Sequence, residues 1–270
     1  MSMTAMKRNL DSFETFNKNN MRILSELSRS RDEENPLSFP DLINRGTFDL
    51  ELAAWLMSLV SRGASFIVGA GPGGVGKTTI MRSLLSLAPH DLPFGIALPE
   101  KIADTYTSSH CIISHELSDH RPPGYLWGQD LREFFALSKQ GHMLVGNMHV
   151  DDLDEAHDQI CKSNGVPLVQ FRAIHLFIFV RVEGEDPSVR RINNPSARRI
   201  INQICYSDGV EVHKLVYTCD EGFSGDILRD LDYEASCRAF LEETLVNLPL
   251  ANEEMRHRFL SWEESYNKSF

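Results

Sequence analysis

Gly71-Pro72-Gly73-Gly74-Val75-Gly76-Lys77-Thr78 is the stretch that decides the reading of this 270-residue chain. It follows the apolar run Ser65–Val68 and opens a helix-compatible run, Thr79–Leu87. Strand, glycine-rich turn, Lys-Thr and helix, in that order, are what a phosphate cradle requires. Glycines let the backbone curl so that successive N–H groups converge on an anion. The helix N-terminus adds partial positive charge at the same place. The spacing G-x-x-x-x-G-K-[ST] gives Lys77 to the β/γ-phosphates and the Thr78 hydroxyl to Mg²⁺. Gly71 through Thr78, with Thr79 behind them, are the expected nucleotide-binding residues, and ATP with Mg²⁺ is the expected ligand.

Outward from that loop, apolar and amphipathic segments alternate. Strands are expected near Phe94–Leu98, His110–Ser114, His142–Met148 and His175–Val182, with helices near 128–139 and 152–163. Strands alternating with helices predict an α/β fold, a mostly parallel sheet with helices on both faces. Two further strands, near 199–206 and 211–218, have no helix between them and predict an antiparallel edge. Upstream, Leu10, Phe13, Phe16, Ile23, Leu24 and Leu27 give residues 7–30 a weak helical period, and the charged, Pro-containing stretch Arg29–Pro40 reads as a linker. Residues 41–61 suit two short helices joined at Gly46. From about Ile227 the chain reads as a helical tail carrying Glu242, Glu243, Glu253, Glu254, Glu263 and Glu264 over apolar spacing, an amphipathic cap or partner helix. The expected division is 1–38 (helical segment and linker), 39–222 (nucleotide-binding core) and 223–270 (tail).

With 42% hydrophobic and 24% charged residues, this is the composition of a soluble globular protein. No apolar run approaches the ~18 residues of a membrane span, and Met1–Arg8 lacks the apolar run that would follow in a signal peptide. Five cysteines without a C-x-x-C point to a reduced, cytoplasmic setting. Thirty-eight acidic against 27 basic residues, net −11, argue against broad binding to nucleic-acid phosphates.

A cradle binds; hydrolysis also needs an acid and groups that sense the γ-phosphate, and in open α/β sheets these come from the C-terminal ends of neighbouring strands. Cys111-Ile112-Ile113-Ser114-His115-Glu116 is a short apolar strand ending in an acid, and Glu116 is the expected water-positioning residue and Mg²⁺-site acid. Asn147 and His149 leave the end of the next strand on one side, as γ-phosphate sensors. His142 lies an odd number of residues from His149 and faces the other way on a regular strand. Arg190-Arg191 and Arg198-Arg199 form a basic cluster that reads as a solvated hairpin edge, a partner contact or an arginine finger, with Arg199 and Arg181 the fingers to test.

Taken together, these segments resemble the type II/type IV secretion ATPase superfamily, the motors of secretion channels and of pilus extension and retraction. Phe39 through Leu56 and Val60 through Val68 look like that family's lead-in to its Walker A loop. Ile113 through Asp119 is similar to its Walker B, Gly141-His142 through Asn147-Met148-His149 to its His box, and Ile178–Arg181 and Arg198–Ile204 to its closing strands. The resemblance implies a RecA-like ATPase assembling as a homo-oligomer, a hexameric ring, that couples ATP hydrolysis to movement of a protein partner such as a membrane secretion or pilus assembly. It also implies Glu116 as Walker B acid, His142 and His149 as the His-box pair, and Glu100 as the remnant of its Asp box. His115 stands where the family has glycine and Ser118 where it has arginine. Set against the family, its arginine-supplying N-terminal domain is expected to be absent here or reduced to about 40 residues. Two alternatives follow from these departures: a nucleotide-gated binding or scaffold protein with little hydrolysis, and a P-loop phosphotransferase.

Overall fold

The described residues, 16–27, 37–102, 108–120, 124–186, 188–225 and 227–268 of a computed structural model, fold around one mixed sheet. Its ten strands are β1 (Phe66–Gly69), β2 (Phe94–Ile96), β3 (Cys111–Ile113), β4 (Glu116–Leu117), β5 (Tyr125–Leu126), β6 (Met143–Met148), β7 (Leu176–Val182), β8 (Arg199–Tyr206), β9 (Lys214–Thr218) and β10 (Gly222–Phe223). The α-helices are α1 (16–27), α2 (Phe39–Asn44), α3 (Leu50–Val60), α4 (Lys77–Leu85), α5 (Gln129–Ala136), α6 (Leu153–His157), α7 (Leu168–Arg172), α8 (Leu231–Leu245) and α9 (Asn252–Asn267). Leu10, Phe13, most of the Arg29–Pro40 linker and Pro122-Pro123 lie outside the described residues.

Across the sheet the order is β10-β9-β8-β7-β1-β6-β3-β2. From β7 to β2 every neighbouring pair is parallel, and from β7 to β10 every pair is antiparallel. Parallel strands covered on both faces need continuous apolar sequence, and β1, β3 and β6 are buried at every residue. Alternate side chains divide between the faces. Phe66, Val68, Val145 and Ile178 join one apolar cluster with α1–α4, α8 and α9. Ile67, Leu144, Phe177 and Phe179 join the other with α5–α7.

Local chemistry fixes the ends of these elements. Ser38 and Asp41 form a capping box at the start of α2, and the Asp49 carboxylate accepts from the Leu52 N–H at 2.8 Å to start α3. Between the two helices the chain turns at Gly46, φ +69°. In the first half of α1, Asn20 accepts from the Phe94 N–H (2.7 Å) and donates to Leu92 O (3.1 Å), tying the helix to the start of β2. In the tail, α8 packs on α3 and α2. Arg256 of α9 is fully buried, donates to Ala88 O at 2.9 Å and lies within 3.5 Å of Leu85 O and Ser86 O, so its cation sits at the C-terminal end of α4.

One irregularity positions the site. Ile113 pairs with Val145 and Leu117 with Met148, four steps on one strand against three on β6. The surplus residue is a bulge at Ser114–Glu116, and bulges re-aim side chains. Leu117 still reaches the core while Glu116 turns toward the loop after β1. The short pieces β4, β5, α7 and β10 leave no periodic signal in the sequence.

Candidate nucleotide site

The loop after β1 lies at the C-terminal edge of the parallel strands, beside the exits of β3 and β6. α4 starts at Lys77 behind Gly76, whose φ of +101° is left-handed. The glycines of this loop answer to the protein as well as to any anion. The Asp151 carboxylate accepts from the Gly71 N–H at 2.6 Å, and a Cβ at position 71 would stand 2.3 Å from its Oδ2. At Gly74, φ +77°, a Cβ would stand 2.3 Å from Ile192 O. The Gly73 N–H donates to Arg190 O and its carbonyl accepts from the Ile192 N–H, both at 2.9 Å. Two elements, the exit of β6 and the β7–β8 connection, therefore mould the loop. The Gly74, Val75 and Gly76 amides, at the mouth of α4, make no hydrogen bond among the described residues.

Four side chains converge beneath the loop. Lys77, 4% exposed, places Nζ 3.2 Å from Ala70 O and 3.2 Å from His149 Nδ1. His149 Nδ1 is also 2.8 Å from Gly71 O. That nitrogen cannot serve both partners. Protonated, it donates to Gly71 O; deprotonated, it accepts from Lys77. The other ring nitrogen faces Glu116 Oε2 at 3.9 Å. Glu116 is 2% exposed, and its Oε1 is buried with no hydrogen-bond partner among the described residues. Asn147, fully buried, donates from Nδ2 to His115 O (3.1 Å) and toward Thr78 Oγ (3.4 Å), while its Oδ1 is likewise buried and unpartnered. Each orphaned oxygen costs about 1–3 kcal/mol unless something outside the chain satisfies it. Hard oxygen donors suit Mg²⁺, so this set fits the ion.

Lys77, Glu116 and His149 line a groove of about 1000 Å³ together with Arg45, Arg191 and Arg198, at the upper end of the ~300–1,000 Å³ common for small-molecule sites. The other residues singled out in the sequence are not brought to the loop, or are occupied differently. His142 sits before β6, at the opposite end of the strand from His149. There its Nδ1 accepts from the His110 N–H at 3.0 Å, and burial, then His110, hold its pKa below the usual value. The two His-box rings therefore do not pair. Glu100 is exposed, and its N–H is held by Asp130 Oδ1 at 2.8 Å beyond β2. Arg181 turns to Cys219 Sγ (3.2 Å) and Asp220 (3.7 Å). The Arg199 guanidinium donates to the carbonyls of Asn194, Pro195, Ala197 and Gly74, a clamp rather than a free cation. Sequence reasoning missed Asp151, which only tertiary contact brings to Gly71, and did not separate Arg191 from its basic neighbours.

Neither a family model nor a curated relative matches the chain. Among solved structures it is similar to the VirB11 ATPase from the Brucella suis type IV secretion system in complex with sulphate, at 18% identity and a TM-score of 0.34, over 61% of this chain and 63% of that one. The match thus spans less than two thirds of that chain. A likeness this shallow decides neither fold nor chemistry.

Proposed function

We propose that this protein is a RecA-like P-loop ATPase that hydrolyses Mg²⁺·ATP. The observation that carries the reading is the Glu116 carboxylate, buried with an unpartnered oxygen, in one groove with Lys77, His149 and the loop amides. Thr78 and Glu116 would hold Mg²⁺, which supplies charge neutralisation of the phosphate oxygens. Asn147 Nδ2 keeps the Thr78 hydroxyl oriented for that task. Lys77 and the Gly74–Gly76 amides take the charge of the β- and γ-phosphates.

Glu116 orients a water and accepts its proton. The water oxygen bonds to the γ-phosphorus as the bond to the β–γ bridging oxygen breaks, and ADP leaves with that electron pair. His149 reports the nucleotide. When Lys77 moves onto phosphate, Nδ1 loses its ammonium partner, and the ring proton, exchanged through solvent from Nε2 to Nδ1, makes the bond to Gly71 O. Lys77 starts on Ala70 O and His149, contacts that phosphate must displace, and this favours a slow turnover as the second form of the same reading. The resemblance drawn from the sequence extends the proposal to a homo-oligomer acting on a protein partner.

The test is phosphate release from ATP. The wild-type chain with Mg²⁺ is expected to release phosphate over many turnovers, and EDTA to stop it. Equal release with and without the ion would overturn the Mg²⁺-dependent reading. A single burst without turnover would leave binding alone.

A further inference from the structure

The connection between β7 and β8, residues 183–198, is stitched to the phosphate loop. Arg191 forms a parallel bridge with Gly73, flanked by the hydrogen bonds from Gly73 N–H to Arg190 O and from Ile192 N–H to Gly73 O. The bridge fixes the Arg191 backbone against the tip of the loop. Its side chain then follows the glycines: a Cβ at Gly73 would lie 3.6 Å from Arg191 Cγ, and one at Gly74 3.7 Å from it.

The neighbouring arginines are committed elsewhere. Arg198 holds Gly46 O and pairs with Glu183 at 3.3 Å. Arg199 gathers the carbonyls of Asn194, Pro195 and Ala197 with that of Gly74, locking the return of the arm to the loop. Arg190 contributes its carbonyl, and its side chain does not line the groove. Arg191 does line it, with Lys77, Glu116 and His149, and its guanidinium has no hydrogen-bond or ion-pair partner among the described residues.

We propose that Arg191 is an arginine supplied in cis to the terminal phosphate of the bound nucleotide, with the 183–198 arm as its mount and Arg199 as the clamp that positions it. The assignment rests on the ATPase reading above. The planar guanidinium matches two oxygens of one phosphate. Negative charge on the γ-oxygens in the transition state makes such a cation worth more there than in the ground state. Because the bridge already holds the backbone, only the side chain is ordered on binding.

The experiment measures the affinity of the full chain for ATPγS and for ADP, each with Mg²⁺, by calorimetry, with melting temperature alongside. Wild type, Arg191→Ala, Arg191→Lys and, as a neighbouring control, Arg190→Ala are compared. Arg191→Ala is expected to lose about 10- to 100-fold in ATPγS affinity, the size of one charge-assisted hydrogen bond, and to keep its ADP affinity. Arg191→Lys recovers part of the loss and Arg190→Ala matches wild type. Unchanged ATPγS preference in Arg191→Ala overturns the assignment while leaving the ATPase reading intact. Equal loss for both nucleotides overturns it too, since the residue then acts through the shape of the loop. A wild type that binds neither nucleotide removes the ATPase reading, and the assignment with it. If the alanine variant melts early, Arg191→Gln, which keeps the stem, carries the same comparison.

Discussion

The two ends of the parallel strands are made of similar residues and behave as opposites. At the N-terminal end, buried and half-buried polar groups find partners. Ser65 Oγ accepts from the Leu144 N–H, the His175 ring accepts from the Ser65 N–H, His142 accepts from the His110 N–H, and His213 Nε2 donates to Ile174 O. At the C-terminal end, Glu116 and Asn147 each bury an oxygen that no described residue answers, and one nitrogen of His149 is shared between a carbonyl and an ammonium. His142 and His149 flank the same strand, so residue type does not separate them. What separates these two sets is whether their polar groups are satisfied, although Arg256 Nε, beside Phe94 at the start of β2, is also buried without a partner among the described residues. Saturated networks hold a fold together, whereas a buried group left unsatisfied calls for strain, a water or a ligand to explain it.

Substitutions that split activity from stability sharpen this contrast. The largest effect is expected at the open end. Lys77→Ala lowers ATP turnover by about 10²–10³-fold, and thermal denaturation is expected to find its stability near wild type, because the contacts of the ammonium include a carbonyl and an imidazole nitrogen that a second carbonyl shares. A marked drop in melting temperature would make Lys77 part of the architecture and erase the contrast. At the closed end the pattern reverses. His142→Leu strands the His110 N–H and costs about 1–3 kcal/mol in denaturant unfolding, while turnover per folded molecule stays at the wild-type rate. Loss of turnover there would return His142 to the site.

The smallest effect is a pH dependence. Burial lowers the pKa of His213 to about 4, and burial also holds His175 below its usual value. The unfolded chain, with histidines near 6.5, then binds protons first, so stability falls as pH drops from about 6.5 toward 4. At pH 5 the His213 contribution to that loss is about 2 kcal/mol. His213→Gln keeps a donor for Ile174 O without the titration, and its unfolding free energy should fall less steeply over that window. An identical slope would place the acid sensitivity elsewhere.

Much of this arrangement can be read from the sequence, and the remainder cannot for identifiable reasons. Strands buried on both faces are continuous apolar runs, so β1, β6 and β7 stand out, as does the change to antiparallel pairing where Arg199–Tyr206 and Lys214–Thr218 follow one another without a helix. The odd spacing between His142 and His149 already separates the two rings. The two-residue strands β4 and β5 carry no periodicity. The bulge that aims Glu116 is a matter of register against β6, which only the paired strand reveals. Asp151 on Gly71 and the Arg191 arm on Gly73 join residues distant in sequence, and no local pattern encodes such contacts. The glycines of the loop show the limit best. Their spacing predicts an anion, while Gly71 and Gly74 also make room for Asp151 and Ile192.

The most direct measurement compares wild type with Glu116→Gln, following Mg²⁺·ATP binding and phosphate release in the same samples. Both proteins should bind the nucleotide with similar affinity, and the glutamine variant should release phosphate about 10²–10⁴-fold more slowly. Release at the wild-type rate from a folded Glu116→Gln protein would take the carboxylate out of the reaction and contradict the account at its centre.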